Sequence, residues 1–146
     1  MEIIFSKKQS HFNKLDKALV LHNYLTSKSE YLNPNIYNNK QKYNGFYLYD
    51  NKELIGGVGF YIDYYNWVFI EDLYINPSYR GQSYGTQLIN KVKQFAKEHS
   101  CTGIRVETWD FQARPFYEKN GFTLYGELKN HPVGRIDYLL KIELLK

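Results

Sequence analysis

The chain has 146 residues, 43% of them hydrophobic, and a formal charge of +4 from 19 basic and 15 acidic residues. This length suits one domain over residues 1–146, with enough apolar material for a closed core. A single cysteine, Cys101, excludes an intrachain disulfide, and no apolar run approaches the length of a membrane-spanning helix.

Aromatic residues reach 18%, with fifteen Tyr, which suits either a walled cleft or a compositional habit. The opening Met1-Glu2-Ile3-Ile4-Phe5 lacks the long apolar core of a signal peptide, so the expectation is a soluble cytoplasmic protein. A mildly basic surface could meet the phosphates of a cofactor or of a nucleic acid. No Lys/Arg block and no RNA- or DNA-binding motif is present, so nucleic acid and membrane are not expected partners.

Glu2 to Phe5 reads as a short strand. Ser10 to Leu25 reads as a helix with Phe12, Leu15, Leu19 and His22 on one stripe. Ser27 to Tyr43 is polar, rich in Asn and Tyr, and reads as loop or as a short helix between loops. Strands follow at Gly45–Tyr49, Leu54–Ile62 and Trp67–Ile75, joined by turns at Asp50–Glu53 and Tyr64–Asn66. Gly56, Gly57 and Gly59 suggest a bulge or a close backbone approach in the second of these strands. Ser83 to His99 is the clearest helix, with Leu88, Ile89, Val92, Phe95 and Ala96 at helical spacing. Thr102–Thr108 reads as a strand, Gln112–Lys119 as a short helix, and Gly121–Leu128 and Ile136–Leu144 as the last strands. Trp67 to Thr108 is a strand-helix-strand unit, which implies one parallel pair in an otherwise antiparallel sheet.

The segment Arg80-Gly81-Gln82-Ser83-Tyr84-Gly85 joins a strand to a helix. Such a turn gathers unpaired backbone N–H groups at the positive end of a helix, where anions bind. By itself the turn also reads as a simple helix cap at Ser83. It is neither the dinucleotide fingerprint nor a P-loop.

The stretch Ile70–Thr86, an apolar strand, a Pro-containing turn, then Arg-x-x-Ser-x-Gly and an amphipathic helix, resembles the cofactor motif of the GNAT superfamily of N-acetyltransferases. Ala113-Arg114-Pro115-Phe116-Tyr117-Glu118-Lys119-Asn120-Gly121-Phe122 resembles the second signature of that family, and the likeness covers roughly Gly45 to Leu144. Ser83 stands where the family carries a glycine; its hydroxyl could cap the helix.

The resemblance implies an α/β fold with a mixed, mostly antiparallel sheet of about six or seven strands flanked by about four helices. It implies acetyl-CoA as cofactor and a primary amine of a small molecule as acceptor, in a monomer or homodimer. Peptide or protein acetylation, and a non-catalytic acyl-CoA-binding module, are the alternatives. By match, Leu73, Tyr74 and Ile75 pair with the pantetheine arm. Backbone N–H groups of Gly81, Gln82, Ser83, Tyr84, Gly85 and Thr86 hold the pyrophosphate beside Arg80. Asp110 stands where many members carry an Asn that contacts the arm. Ala113 and Phe116 lie on the cofactor side with Tyr117, which matches the general acid near the sulfur. Glu71, the first candidate for the general base, matches a carboxylate near the acceptor amine in the di- and polyamine branch, and Glu107 is the second base candidate, on the neighbouring strand. Strict alternation would put Asp72 on the face opposite Glu71. The four histidines share no metal-ligand spacing, so no metal is expected. Cys101 reads as a small core residue, and the loop His131-Pro132-Val133-Gly134 as a border of the acceptor site.

Overall fold

The computed structural model describes residues 1–37 and 42–145. It divides into two compact units, Met1–Lys40 and Gln41–Lys146.

The first unit holds helix α1 (Gln9–Ser27), a 3₁₀ turn at Glu30–Leu32 and the short helix α2 (Pro34–Tyr37). Helix α1 ends at Lys28 in a left-handed conformation, whose N–H closes on the Tyr24 carbonyl. The expected strand at Glu2–Phe5 does not form: these residues belong to no sheet, and a lone strand leaves its backbone groups without partners. The expected stripe of Phe12, Leu15 and Leu19 stays exposed. Within the expected loop Ser27–Tyr43, positions 38–41 lie outside the described residues.

The second unit is a six-stranded sheet of order β1-β2-β3-β4-β6-β5. Its strands are β1 (Asn44–Asp50), β2 (Glu53–Ile62), β3 (Trp67–Ile75), β4 (Gly103–Trp109), β5 (Thr123–Lys129) and β6 (Ile136–Glu143). Asn51 and Lys52 both take positive φ, 46° and 71°, the two-residue turn that fits the twist of a hairpin. Helix α3 (Tyr84–Glu98) crosses from β3 to β4, which pair in parallel, and every other pairing is antiparallel. Its stripe of Leu88, Ile89, Val92 and Ala96 is buried, with Phe95 packed beside it. It covers one sheet face, against Val58, Phe60, Val68, Ile70, Ile104, Val106 and Leu140. Each such side chain contributes roughly 1.5–3 kcal/mol relative to exposure. Cys101 is buried at the edge of this core, and the short helix α4 (Arg114–Lys119) follows β4.

Close backbone approach explains two of the β2 glycines: a Cβ on Gly56 would stand 2.6 Å from the Tyr74 carbonyl oxygen, and one on Gly57 2.9 Å from that of Phe46. Gly59 has no such neighbour; it faces an irregularity of β3 that shapes the site.

Candidate active site

Strand β3 follows β2 from Val68 to Ile75, but it pairs with β4 only where Trp67–Ile70 meet Gly103–Val106. Beyond Val106, β4 stays with β6 as far as Trp109. The two parallel strands therefore part, and among the described residues β3 from Glu71 to Ile75 has no strand on its β4 side. The cause is a β-bulge. Phe60 faces Ile70 and Gly59 faces Asp72, which leaves Glu71 as the extra residue. A bulge bends its strand and sharpens the local twist, so β3 turns away from its neighbour at this point.

The bulge also breaks the two-residue alternation. Ile70 opposes Phe60 and Leu73 opposes Val58, and both partners are buried under α3. Glu71 and Asp72 between them are both exposed, on the face away from α3. The expectation that they lie on opposite faces is thus corrected. Consistent with this placement, the negative charge of Glu71 reaches the hydroxyl of Tyr61, which opposes Phe69 on the same outer face.

On β4, Ile104, Val106 and Thr108 are buried, so Arg105, Glu107 and Trp109 share that outer face. Glu71 and Glu107 each follow the last paired couple, Ile70 and Val106, and stand on the two sides of the fork. Arg105 stacks over the Phe69 ring at 4.4 Å and pairs with Asp63 at 3.4 Å. Glu107 is exposed as a residue, yet its carboxyl is held above the ordinary carboxylate range. Loss of water against the sheet is the largest cause, followed by the charge of Asp137 and a hydrogen bond to it; Arg105 and His131 oppose the rise. Asp137 is buried and lies 3.2 Å from Nδ1 of His131. The indole N–H of Trp109 donates to the His131 carbonyl at 2.7 Å, which ties the His131–Gly134 loop to the end of β4.

Past β3, the Asn76 side chain accepts from the Ser78 N–H at 3.0 Å, and the Tyr79 hydroxyl donates to Asp50 at 2.7 Å. Arg80 donates through Nε to the Ile75 carbonyl at 2.8 Å and lies over the Tyr74 ring. Its terminal nitrogens remain available beside the turn. Gly81 and Ser83 both adopt left-handed backbone, with φ of 78° and 64°. Ser83 makes no side-chain cap bond, contrary to expectation: its carbonyl, not its hydroxyl, starts the helix by accepting from the Gln87 N–H at 3.0 Å. Backbone N–H groups from Gly81 through Thr86 find no acceptor among the described residues. Consecutive free donors at a helix N-terminus, next to a guanidinium, suit a doubly charged phosphate group. The open edge of Leu73, Tyr74 and Ile75 suits an extended arm that pairs like a strand. The residues therefore fit a cofactor that carries a pyrophosphate and an extended arm.

Helix α4 seats Tyr117 within the core, 6% exposed, between the rings of Phe116 and Phe122 at 5.3 and 5.4 Å. It belongs to the same buried cluster as Ile70 and Val106, where the fork opens. Burial pushes its phenol up to about 12. The start of α4 is fixed by the Ala113 N–H donating to Oγ1 of buried Thr108 at 3.3 Å. Its end is fixed by Gly121, whose φ of 95° lets Phe122 turn back under Tyr117. Asp110 does not face the fork as a free carboxylate; it pairs with Arg135 at 3.7 Å. Asp137 carried no sequence signal, because only the register of β6 on β4 brings it to Glu107.

The profile of the Acetyltransferase (GNAT) family matches residues 12–122. Blasticidin-S acetyltransferase of Streptomyces morookaense is 36% identical over 93 residues, 63% of this chain and 68% of that protein. Thialysine N-epsilon-acetyltransferase of Bos taurus is 34% identical over 38% of this chain, a match that spans only 35% of that protein. An acetyltransferase crystal structure from Bacillus cereus superimposes with a TM-score of 0.78 over 99% of both chains at 23% identity, a likeness of fold. A Bacillus anthracis structure assigned as a streptothricin acetyltransferase, in complex with acetyl coenzyme A, is 28% identical with a TM-score of 0.64, over 75% of this chain and 67% of that one.

Proposed function

The chain belongs to the acetyltransferase (GNAT) family, and we propose that it moves an acetyl group from acetyl-CoA to a primary amine of a small cationic molecule. The observation that carries this reading is the fork between β3 and β4, with unaccepted N–H donors at one end and carboxylates on its outer face.

Acetyl-CoA supplies the acyl group as an activated thioester. Arg80 and the N–H groups of Gly81–Thr86 hold the pyrophosphate, and the free edge of Leu73–Ile75 orients the arm. Ala113, at the N-cap of α4, and Phe116, within it, back that side. Asp110, held by Arg135, is not committed to the arm in this reading. Glu71 and Asp72 draw a cationic acceptor to the fork. Glu107, with its raised proton affinity, takes the proton that an ammonium must lose before its nitrogen can attack. Tyr117 keeps its proton at neutral pH and gives it to the departing sulfur. The relatives named for blasticidin-S and streptothricin favour an amine-bearing antibiotic or a molecule of similar charge as acceptor.

The test is an amine panel containing polyamines, basic amino acids and amine antibiotics, read by release of free thiol. Small cationic amines are expected to release thiol above the hydrolysis rate. Acetylation of peptide amines alone would move the acceptor to the protein class. Absence of any thermal shift with saturating acetyl-CoA would remove the cofactor.

A further inference from the structure

Glu107 does not stand alone. Glu107 opposes Leu139 and Trp109 opposes Asp137, so Glu107 and Asp137 are diagonal neighbours on one face of paired strands. Diagonal positions are within reach of long side chains, and Asp137 is among the groups that hold the Glu107 carboxyl above its ordinary range. Asp137 is 5% exposed, and its Oδ2 lies 3.2 Å from Nδ1 of His131. The His131 side chain is 60% exposed. Trp109 fixes the loop at this point through the His131 carbonyl. A row of titratable groups thus runs from the fork, through two neighbouring carboxyls, to a ring in water.

We infer that Asp137 and His131 are positioning residues behind Glu107, which pass the acceptor's proton from the fork to solvent. This rests on the acetyl-transfer reading above. An N–H bond of the acceptor ammonium breaks and an O–H bond forms on Glu107. In this relay the carboxyl pair carries one proton, which moves from Asp137 to Nδ1 of a neutral His131, and the resulting imidazolium loses its Nε2 proton to water. One proton leaves the nitrogen and one reaches solvent, and the carboxyl pair keeps its net charge. The other charged groups facing Glu107 are Arg105 on its own strand, Glu71 across the fork, and Lys141, which opposes Arg105 and pairs with Glu143. None of these connects Glu107 to solvent through a hydrogen bond.

Carboxyl ¹³C NMR titration of the full chain, beside its D137N and H131Q variants, tests the pair without turnover. In the native protein Glu107 is expected to titrate above ordinary carboxylates. Removing the Asp137 charge should lower that midpoint, and removing the His131 ring, which opposes the rise, should lift it. Thiol release with the best amine of the panel then tests the relay. Both variants should lose about tenfold in kcat with little change in acetyl-CoA affinity, and added imidazole should restore H131Q. An ordinary Glu107 midpoint in the native protein overturns the pair. Shifted midpoints with kcat unchanged in both variants overturn the relay and leave acetyl transfer standing. A native protein that releases no thiol with any amine overturns acetyl transfer and the relay with it, whatever the titration shows.

Discussion

Gly85 packs against the ring of Phe116 so closely that a methyl group on Gly85 would stand 3.1 Å from two ring carbons. The two motif-bearing segments of the sequence, the Arg80–Gly85 turn and the Tyr117 helix, are therefore in direct contact. A change at the turn is felt one residue from the phenol. Gly85→Ala is expected to lower the thermal midpoint despite the better helix propensity of Ala, because overpacking costs ~1–3 kcal/mol. It should lower turnover as well. Phe116→Leu in the same chain should recover part of both. A double-mutant cycle in thermal midpoint checks the coupling, and strict additivity would mean that the contact carries no energy.

Ser83 occupies a left-handed backbone position, φ 64°, and its hydroxyl makes no cap bond. A non-glycine residue there is strained, while nothing is gained from the side chain. Ser83→Gly should therefore raise stability by ~0.5–1 kcal/mol and leave acetyl-CoA affinity equal or better. Ser83→Ala should change stability little. A loss of stability in Ser83→Gly, measured by urea unfolding, would show that Ser83 is held by a bond at the turn.

Much of this site could be read from the chain because its elements are periodic. The stripe Leu88, Ile89, Val92 and Ala96 fixes α3, and Trp67–Ile75 emerges as one strand with the expected ends. The relation of Glu71 to Asp72 could not be read in this way. A bulge is a property of how two strands pair, and an alternating pattern drawn on one strand misplaces every residue beyond it. Asp137 was hidden for a related reason: its partner Glu107 is thirty positions earlier, and only the β4–β6 register joins them. Glu2–Phe5 failed in the opposite direction, since local strand propensity could not supply a neighbouring strand.

Because the bulge sets Glu71 and Asp72 on one face, both charges are placed to act on the cationic acceptor proposed above. Asp72→Asn should raise KM for a dicationic amine several-fold and for a monocationic amine less, with kcat nearly unchanged. The difference should shrink as ionic strength rises, because these carboxylates are exposed and screened. Glu71→Gln should show the same salt-dependent rise in KM. A salt-independent effect on kcat alone would instead assign Glu71 to proton transfer.

Tyr117 links the chemistry to stability. Burial raises its phenol from 10.0 to about 12, so the folded chain holds this proton more tightly than the unfolded chain does. The sign follows: the stabilisation is complete below pH 10 and is lost as pH rises toward about 12. The full loss is roughly 2–3 kcal/mol. Tyr117→Phe removes the ionisable group, so the variant should lose less stability than the native chain between these pH values, measured by urea unfolding at each pH. In turnover the same variant should fall about 10²–10⁴-fold with acetyl-CoA affinity nearly intact, the cost of losing a positioned acid. The native rate should show no downturn from Tyr117 ionisation until well above pH 10, because the acid stays protonated there. Equal turnover in Tyr117→Phe would assign the proton at sulfur to water, while the alkaline stability difference would remain as the mark of a buried phenol.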